Sequence, residues 1–138
     1  MKKIKKYLGI DYGTKRIGLA LASNEANLAV PFLVVKNINE IIKIVKEEEI
    51  DKIIIGKPLK MRGKDLEISN DYLEFLSLLK KKINIPINTI DERLTSKASD
   101  ALSGDKKTKA PRDAIAAMLI LQNYIDTKKT NRDENNEI

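Results

Sequence analysis

At 138 residues the chain has the size of one domain, and its 42% hydrophobic content suffices for a buried core. It contains no cysteine and no histidine, which excludes disulfides, thiolate metal sites, a thiol nucleophile, and the usual imidazole base or zinc ligand. Twenty-six lysines and arginines against twenty acids give a net charge of +6, which directs attention to a polyanionic partner. Only short apolar runs follow the basic start M-K-K-I-K-K. No signal peptide or membrane span fits, so the expected location is cytoplasmic and no membrane partner is expected.

In chain order, residues 4–10 read as a strand buried on both faces, and Arg16–Ser23 as its hairpin partner across the Gly13 turn. Gly9 and Gly18 inside these strands predict close backbone approach or bulges. Leu28–Val35 makes a third strand, with Pro31 arguing for an edge position. Glu40–Glu49, apolar at 41, 42, 44 and 45, suits a helix, and the β-branched run Lys52–Ile55 suits a buried strand ended by Gly56-Lys57-Pro58. Ser69–Lys82 carries apolar residues at spacings of three and four, the pattern of an amphipathic helix. Pro86–Ile90 follows as a strand, then Thr95–Leu102 as a helix and Ser103–Lys109 as a polar, basic loop. Pro111 opens a long helix to about Asp126. The expected domain is thus 1–126, with 127–138, of mixed charge and without aromatics, expected to be a disordered tail.

Three meandering strands followed by alternating helix and strand imply parallel additions to an antiparallel start. The expected fold is α/β, a mixed five-stranded sheet with helices on both faces. Ligands in such sheets gather at the carboxyl ends of strands where the strand order reverses. Those ends carry Asp11, Gly56, and Asp91-Glu92.

Asp11, in the turn Y-L-G-I-D-Y-G-T-K-R, would by itself pass for a turn residue. Asp91-Glu92-Arg93 would pass for a surface ion pair or a cap, and because successive strand residues point to opposite faces, only one of the two acids can face a site. Asp113, just after Pro111, is also an ordinary helix-start residue. Ala116 and Ala117 beyond it, however, would let the helix lie close to the sheet and bring Asp113 beside the tip of strand one. Carboxylates converging there would repel one another without a cation between them. Oxygen ligands alone suit Mg²⁺ or Mn²⁺ rather than zinc. Phosphodiester hydrolysis commonly uses two such ions about 4 Å apart, with Asp11 as the bridging ligand and Lys15 and Arg16 meeting the phosphate.

The stretches I-D-Y-G-T-K-R-I-G-L-A, I-I-I-G-K-P-L-K-M-R-G, D-E-R-L-T-S and D-A-I-A-A-M-L-I-L-Q-N-Y-I resemble, in order, the four motifs of the YqgF/RuvX family. These are small bacterial proteins related to Holliday-junction resolvases and regarded as nucleases that mature the 5′ end of small-subunit ribosomal RNA. The resemblance covers residues 7–126. It implies a ribonuclease-H-like fold, divalent-metal phosphodiester hydrolysis and a structured nucleic-acid substrate. It also implies that Asp11, Glu92 and Asp113 are the catalytic acids and, with Asp91 as the alternative on strand five, the metal ligands. The chain departs from the family pattern at K-K-T-K-A-P-R-D, where a proline enters the first turn of the last helix. As in the family, the end of strand four carries no acid.

Lys57, Lys60, Arg62 and Lys64 follow strand four, Arg93 and Lys97 follow strand five, and Lys106, Lys107, Lys109 and Arg112 precede the last helix. With Lys15 and Arg16 they would form a phosphate-contacting rim. Aromatics are only 4% of the chain, which disfavours a single-strand stacking platform and favours backbone and shape recognition of folded nucleic acid. Preference for structured RNA over a four-way DNA junction comes from the family resemblance alone.

Two other classes stand beside this one. The D-x-G-T turn resembles the phosphate loop of the actin, Hsp70 and sugar-kinase group, but one domain of this size cannot build their two-domain cleft. A non-catalytic nucleic-acid-binding module would have the same fold with its acids lost, whereas all are present here. Paired cuts on a symmetric junction would require a two-fold dimer. No apolar stripe announces one, so a monomer or weak homodimer is expected.

Overall fold

The computed structural model describes residues 4–58, 60–62, 65–91 and 111–136, with backbone alone at 60–62, 65–67 and 129–136. The expected helix Thr95–Leu102 and loop Ser103–Lys109 lie outside the described residues.

The chain begins with β1 (Lys6–Asp11), β2 (Ile17–Ser23) and β3 (Val30–Val35), an antiparallel meander in which Asp11 lies opposite Gly18. The helix α1 (Ile38–Glu47) follows, then β4 (Lys52–Lys57), β5 (Lys60–Arg62), β6 (Asp65–Glu67), α2 (Asn70–Lys82), β7 (Ile87–Asp91) and α3 (Arg112–Asn136). Five strands form one sheet in the order β3-β2-β1-β4-β7, with β4 parallel to both β1 and β7. The mixed sheet expected from the sequence is therefore present. Pro31 sits on the edge strand, opposite Ala20 where the pairing with β2 shifts register, both settings in which a proline is tolerated.

Local chemistry sets the helix starts. The Asn37 side chain accepts from Glu40 N at 3.1 Å while the Glu40 carboxylate accepts from Lys36 N at 2.6 Å. This reciprocal capping starts α1 two positions earlier than its apolar pattern alone suggests. Ser69 caps α2 by accepting from Tyr72 N at 3.2 Å. Two features differ from expectation. The segment after β4 is a small antiparallel hairpin, β5–β6, rather than a plain loop. The last helix runs to Asn136 instead of ending near Asp126; Gln122 Nε2 donates to Asp126 Oδ1 at 3.0 Å, and the Lys128 ammonium lies 5.7 Å from the Tyr124 ring centroid. Contacts four residues apart such as these sustain a helix beyond its last buried residue.

The sheet separates two cores. On one face Leu8, Ile10, Leu19, Ile53 and Ile55 pack with Ile41 and Ile44 of α1 and Tyr72 and Leu79 of α2. On the other, Ala20, Ala22 and Ile54 pack with Ala117, Ile120, Leu121 and Ile125 of α3. Helices thus cover both faces, and strand residues alternate between them as the pleat requires.

Candidate active site at the carboxyl end of the sheet

Strand β1 is the point where the sheet changes sense, antiparallel to β2 on one side and parallel to β4 on the other. Its last residue is Asp11. Leu8 and Ile10 belong to the α1–α2 face, so the alternation of the strand puts Gly9 and Asp11 on the face covered by α3. The half-buried Asp11 therefore stands at the reversal point, on the α3 side.

Two glycines bring α3 down onto that face. A Cβ on Gly9 would meet Leu121 Cβ at 2.8 Å and the Ala117 carbonyl at 2.9 Å. A Cβ on Gly18 would collide outright with the carbonyl group of Asp113. Asp113, Ala117 and Leu121 recur every four residues and form one stripe of the helix. Because Gly18 is the register partner of Asp11, the first turn of α3 is seated against the strand position beside Asp11. Helix and strand, the last element and the first, thus present Asp113 and Asp11 together. The Pro111 carbonyl accepts from Ala114 N and Ile115 N at 3.0 and 3.1 Å, so the proline starts this helix without disturbing its first turn.

Asp113 is paired. Arg16 Nε lies 3.4 Å from Asp113 Oδ2, with the arginine side chain 72% exposed and the aspartate 34%. An exposed pair of this kind adds at most about 1 kcal/mol of stability, and a guanidinium so open to solvent is free to exchange partners. Lys15 and Arg112 are exposed and Lys57 half-buried at the same end of the molecule.

Asp91 closes β7 opposite Lys57. Ile87 packs in the α1–α2 core and Ile90 in the α3 core, so Asp91 falls on the α1–α2 face, the side away from Asp11. Glu92, Arg93, Lys107 and Lys109 lie outside the described residues, as does the side chain of Arg62. Among the described residues no group of three acids is close enough to hold a metal ion. Tyr12, next to Asp11, packs against Phe75 and Tyr72 with ring centroids 4.6 and 6.0 Å away, so it lies half-buried against the core of the α2 face. Burial pushes its phenol up, and the charges of Asp71 and Glu74 push it further.

Comparison with known proteins places this architecture. Residues 5–127 match the family model described as RuvX, Holliday junction resolvase. The chain belongs to the RuvX family. Its relatives include a Chloroflexus aurantiacus protein 30% identical over 95% of this chain and 93% of its own length. A Rickettsia africae protein is 35% identical over 88% of this chain and 86% of its own. Both carry the provisional name pre-16S rRNA nuclease. Thermus thermophilus RuvC superposes with a TM-score of 0.59 at 13% identity over 91% of this chain and 96% of its own, which shows the shared ribonuclease-H-like fold. The RuvX match runs from β1 into α3 and so contains both Asp11 and Asp113, in a nuclease family.

The Arg16–Asp113 pair was invisible to sequence reasoning, which read Arg16 only as a phosphate contact. Nothing local links residues so far apart; the one hint was Gly18, whose missing side chain announces that something lies close.

Proposed function

We propose that this RuvX protein is a metal-dependent endonuclease that hydrolyses phosphodiester bonds in structured nucleic acid, with 5′-end maturation of pre-16S rRNA as its task. The carrying observation is the seating of Asp113 over Gly18, beside Asp11, at the strand-reversal point of the sheet. The names of the relatives support RNA as the substrate.

The donor chemistry fits a hard divalent cation: carboxylate oxygens from Asp11 and Asp113, in a chain without histidine or cysteine. Asp91 faces the other side of the sheet, which leaves Glu92, the next acid in the sequence, as the third ligand in this proposal. Mg²⁺ or Mn²⁺, one ion or two, would supply Lewis acidity toward the scissile phosphate and an attacking water. Asp11 and Asp113 would hold the cation. Arg16 would exchange Asp113 for a phosphate oxygen as substrate arrives, and Lys15, Lys57 and Arg112 would add to the electrostatic hold. Arg62, Arg93, Lys107 and Lys109 complete the proposed contact set. A cytoplasmic place, and a monomer or weak homodimer, go with this reading; among the described residues no helix is long and apolar enough to cross a membrane.

The family description favours a second reading, a resolvase of four-way DNA. One assay separates them. Purified chain and its Asp11→Asn variant are incubated with Mg²⁺ or Mn²⁺ and either structured precursor rRNA or a four-way DNA junction. Metal-dependent RNA cleavage lost in the variant, with binding intact, is the expected result. Junction cleavage alone would establish the resolvase. No cleavage of either, with salt-sensitive binding by both proteins, would reduce the chain to a binding module.

A further inference from the structure

The opposite end of the sheet holds a cleft of ≈ 520 Å³, lined in part by Lys5 and Tyr7 of the β1 start, Asp51 and Lys52 of the β4 start, and Tyr124 and Lys128 of α3. Cations prevail there, three lysines against one aspartate in the lining. The Asp51 Oδ2 accepts from the main-chain N–H of Lys6 at 2.9 Å, and its single negative charge leaves the lining net positive. Lys52 Nζ donates to the Tyr124 hydroxyl at 3.0 Å and lies 5.6 Å from the ring centroid, and the Lys128 ammonium stands 5.7 Å from the same centroid. Two ammonium groups thus flank one phenol, each within cation–π range of its ring, and with Lys5 they turn a positive cleft toward an incoming anion.

From this cluster we infer a second phosphate-binding site, formed by Lys5, Lys52 and Lys128 with the Tyr124 hydroxyl, that takes a backbone phosphate of the RNA. Burial pushes the Tyr124 phenol up, but the hydrogen bond and charge of Lys52 and the charge of Lys128 outweigh it, and the net shift is downward. A phenol so polarised is a stronger donor to an anion. The cleft and Asp11 lie at opposite ends of β1, roughly 17 Å apart at 3.3 Å per strand residue. A stem of a folded RNA only a few base pairs long spans that separation. A folded RNA seated at the acids would reach the cleft; a single nucleotide would occupy the cleft alone. The site rests on the nuclease reading only in taking RNA as the source of the phosphate.

The test compares wild type with Lys52→Gln/Lys128→Gln, and with Lys5→Gln/Lys128→Gln, which leaves the Lys52–Tyr124 bond in place; circular dichroism checks that each is folded. Binding of a folded RNA is measured across salt concentrations in chelating buffer, beside titration with adenosine monophosphate. Loss of the one phosphate contact should flatten the dependence of log K on log salt by roughly 0.7–0.9 in each pair. Flattening without monophosphate binding supports the backbone site. Monophosphate binding that weakens at least tenfold in the variants supports the same phosphate chemistry, with a free nucleotide as the source. An unchanged slope in both pairs, without monophosphate binding, overturns the site. Because nothing is cut in chelating buffer, failure of the cleavage assay and failure of the cleft are read independently.

Discussion

The two faces of the sheet are built from different materials. The face under α1 and α2 is paved with Leu8, Ile10, Leu19, Ile53 and Ile55, and large side chains keep the helices a full side-chain layer away. The face under α3 offers Gly9, Gly18, Ala20 and Ala22 near the centre, and there helix backbone meets strand backbone. Thick packing buries apolar area and stabilises; thin packing fixes where a backbone lies to within a fraction of an ångström. The proposed acids Asp11 and Asp113 belong to the thin face. The comparison teaches that one sheet assigns stability mainly to one side and positional accuracy to the other.

The division breaks or holds under mutation. The largest expected effect is on stability from the thick face: Ile53→Ala, at a fully buried position, should cost about 2–5 kcal/mol. Activity per folded molecule should stay near wild type; denaturant unfolding and single-turnover cleavage measure the two separately. A large fall in specific activity would deny the division. Next, Gly18→Ala should move the first turn of α3 and lower cleavage about 10²-fold, which is near 2.7 kcal/mol of barrier. The fold should persist, with overpacking costing about 1–3 kcal/mol. Gly9→Ala is the control, because it presses on Ala117 and Leu121 rather than on Asp113, and its catalytic effect should be smaller. Equal losses in the two variants would mean that the helix responds as a rigid whole.

The smallest effects are those of pH. Tyr124, on the thin face, has its phenol lowered when folded, and Tyr12, on the thick face, has its phenol raised. The contribution of Tyr124 is present above the ordinary phenol value and lost as pH falls through its folded value. That of Tyr12 is full below the ordinary value and lost as pH rises through its folded value. In an absorbance titration Tyr124→Phe should remove a phenol that ionises ahead of the one removed by Tyr12→Phe. The reverse order would sink the assignment.

Much of this was legible in the chain. The run Lys52–Ile55 announced a buried strand, Pro31 an edge, and Gly9 and Gly18 a close approach or bulge, each because a single residue type admits few physical settings. The seating of Asp113 near the tip of strand one was legible through Ala116 and Ala117. The face of the sheet taken by Asp91 was not, since the phase of an alternation is fixed only once neighbouring side chains have been assigned to a core. The β5–β6 hairpin escaped because three-residue strands are too short to show a period. The end of α3 escaped because contacts four residues apart, not apolar residues, sustain it. The lysines of the far cleft stand at 5, 52 and 128, and only the fold collects them.

The side chain of Gln122 links α3 to the turn between β2 and β3. Its Oε1 accepts from Ala29 N at 2.8 Å and its Nε2 donates to the Asn27 carbonyl at 3.3 Å, across 93 and 95 residues of sequence. Such distant partners meet late, because long loops must close before these contacts repay the entropy. During synthesis the strands therefore emerge before the helix that covers one of their faces, and Asp11 before Asp113. The proposed catalytic pair comes into being only when α3 has emerged, so any cleavage by this pair waits for the last element of the chain.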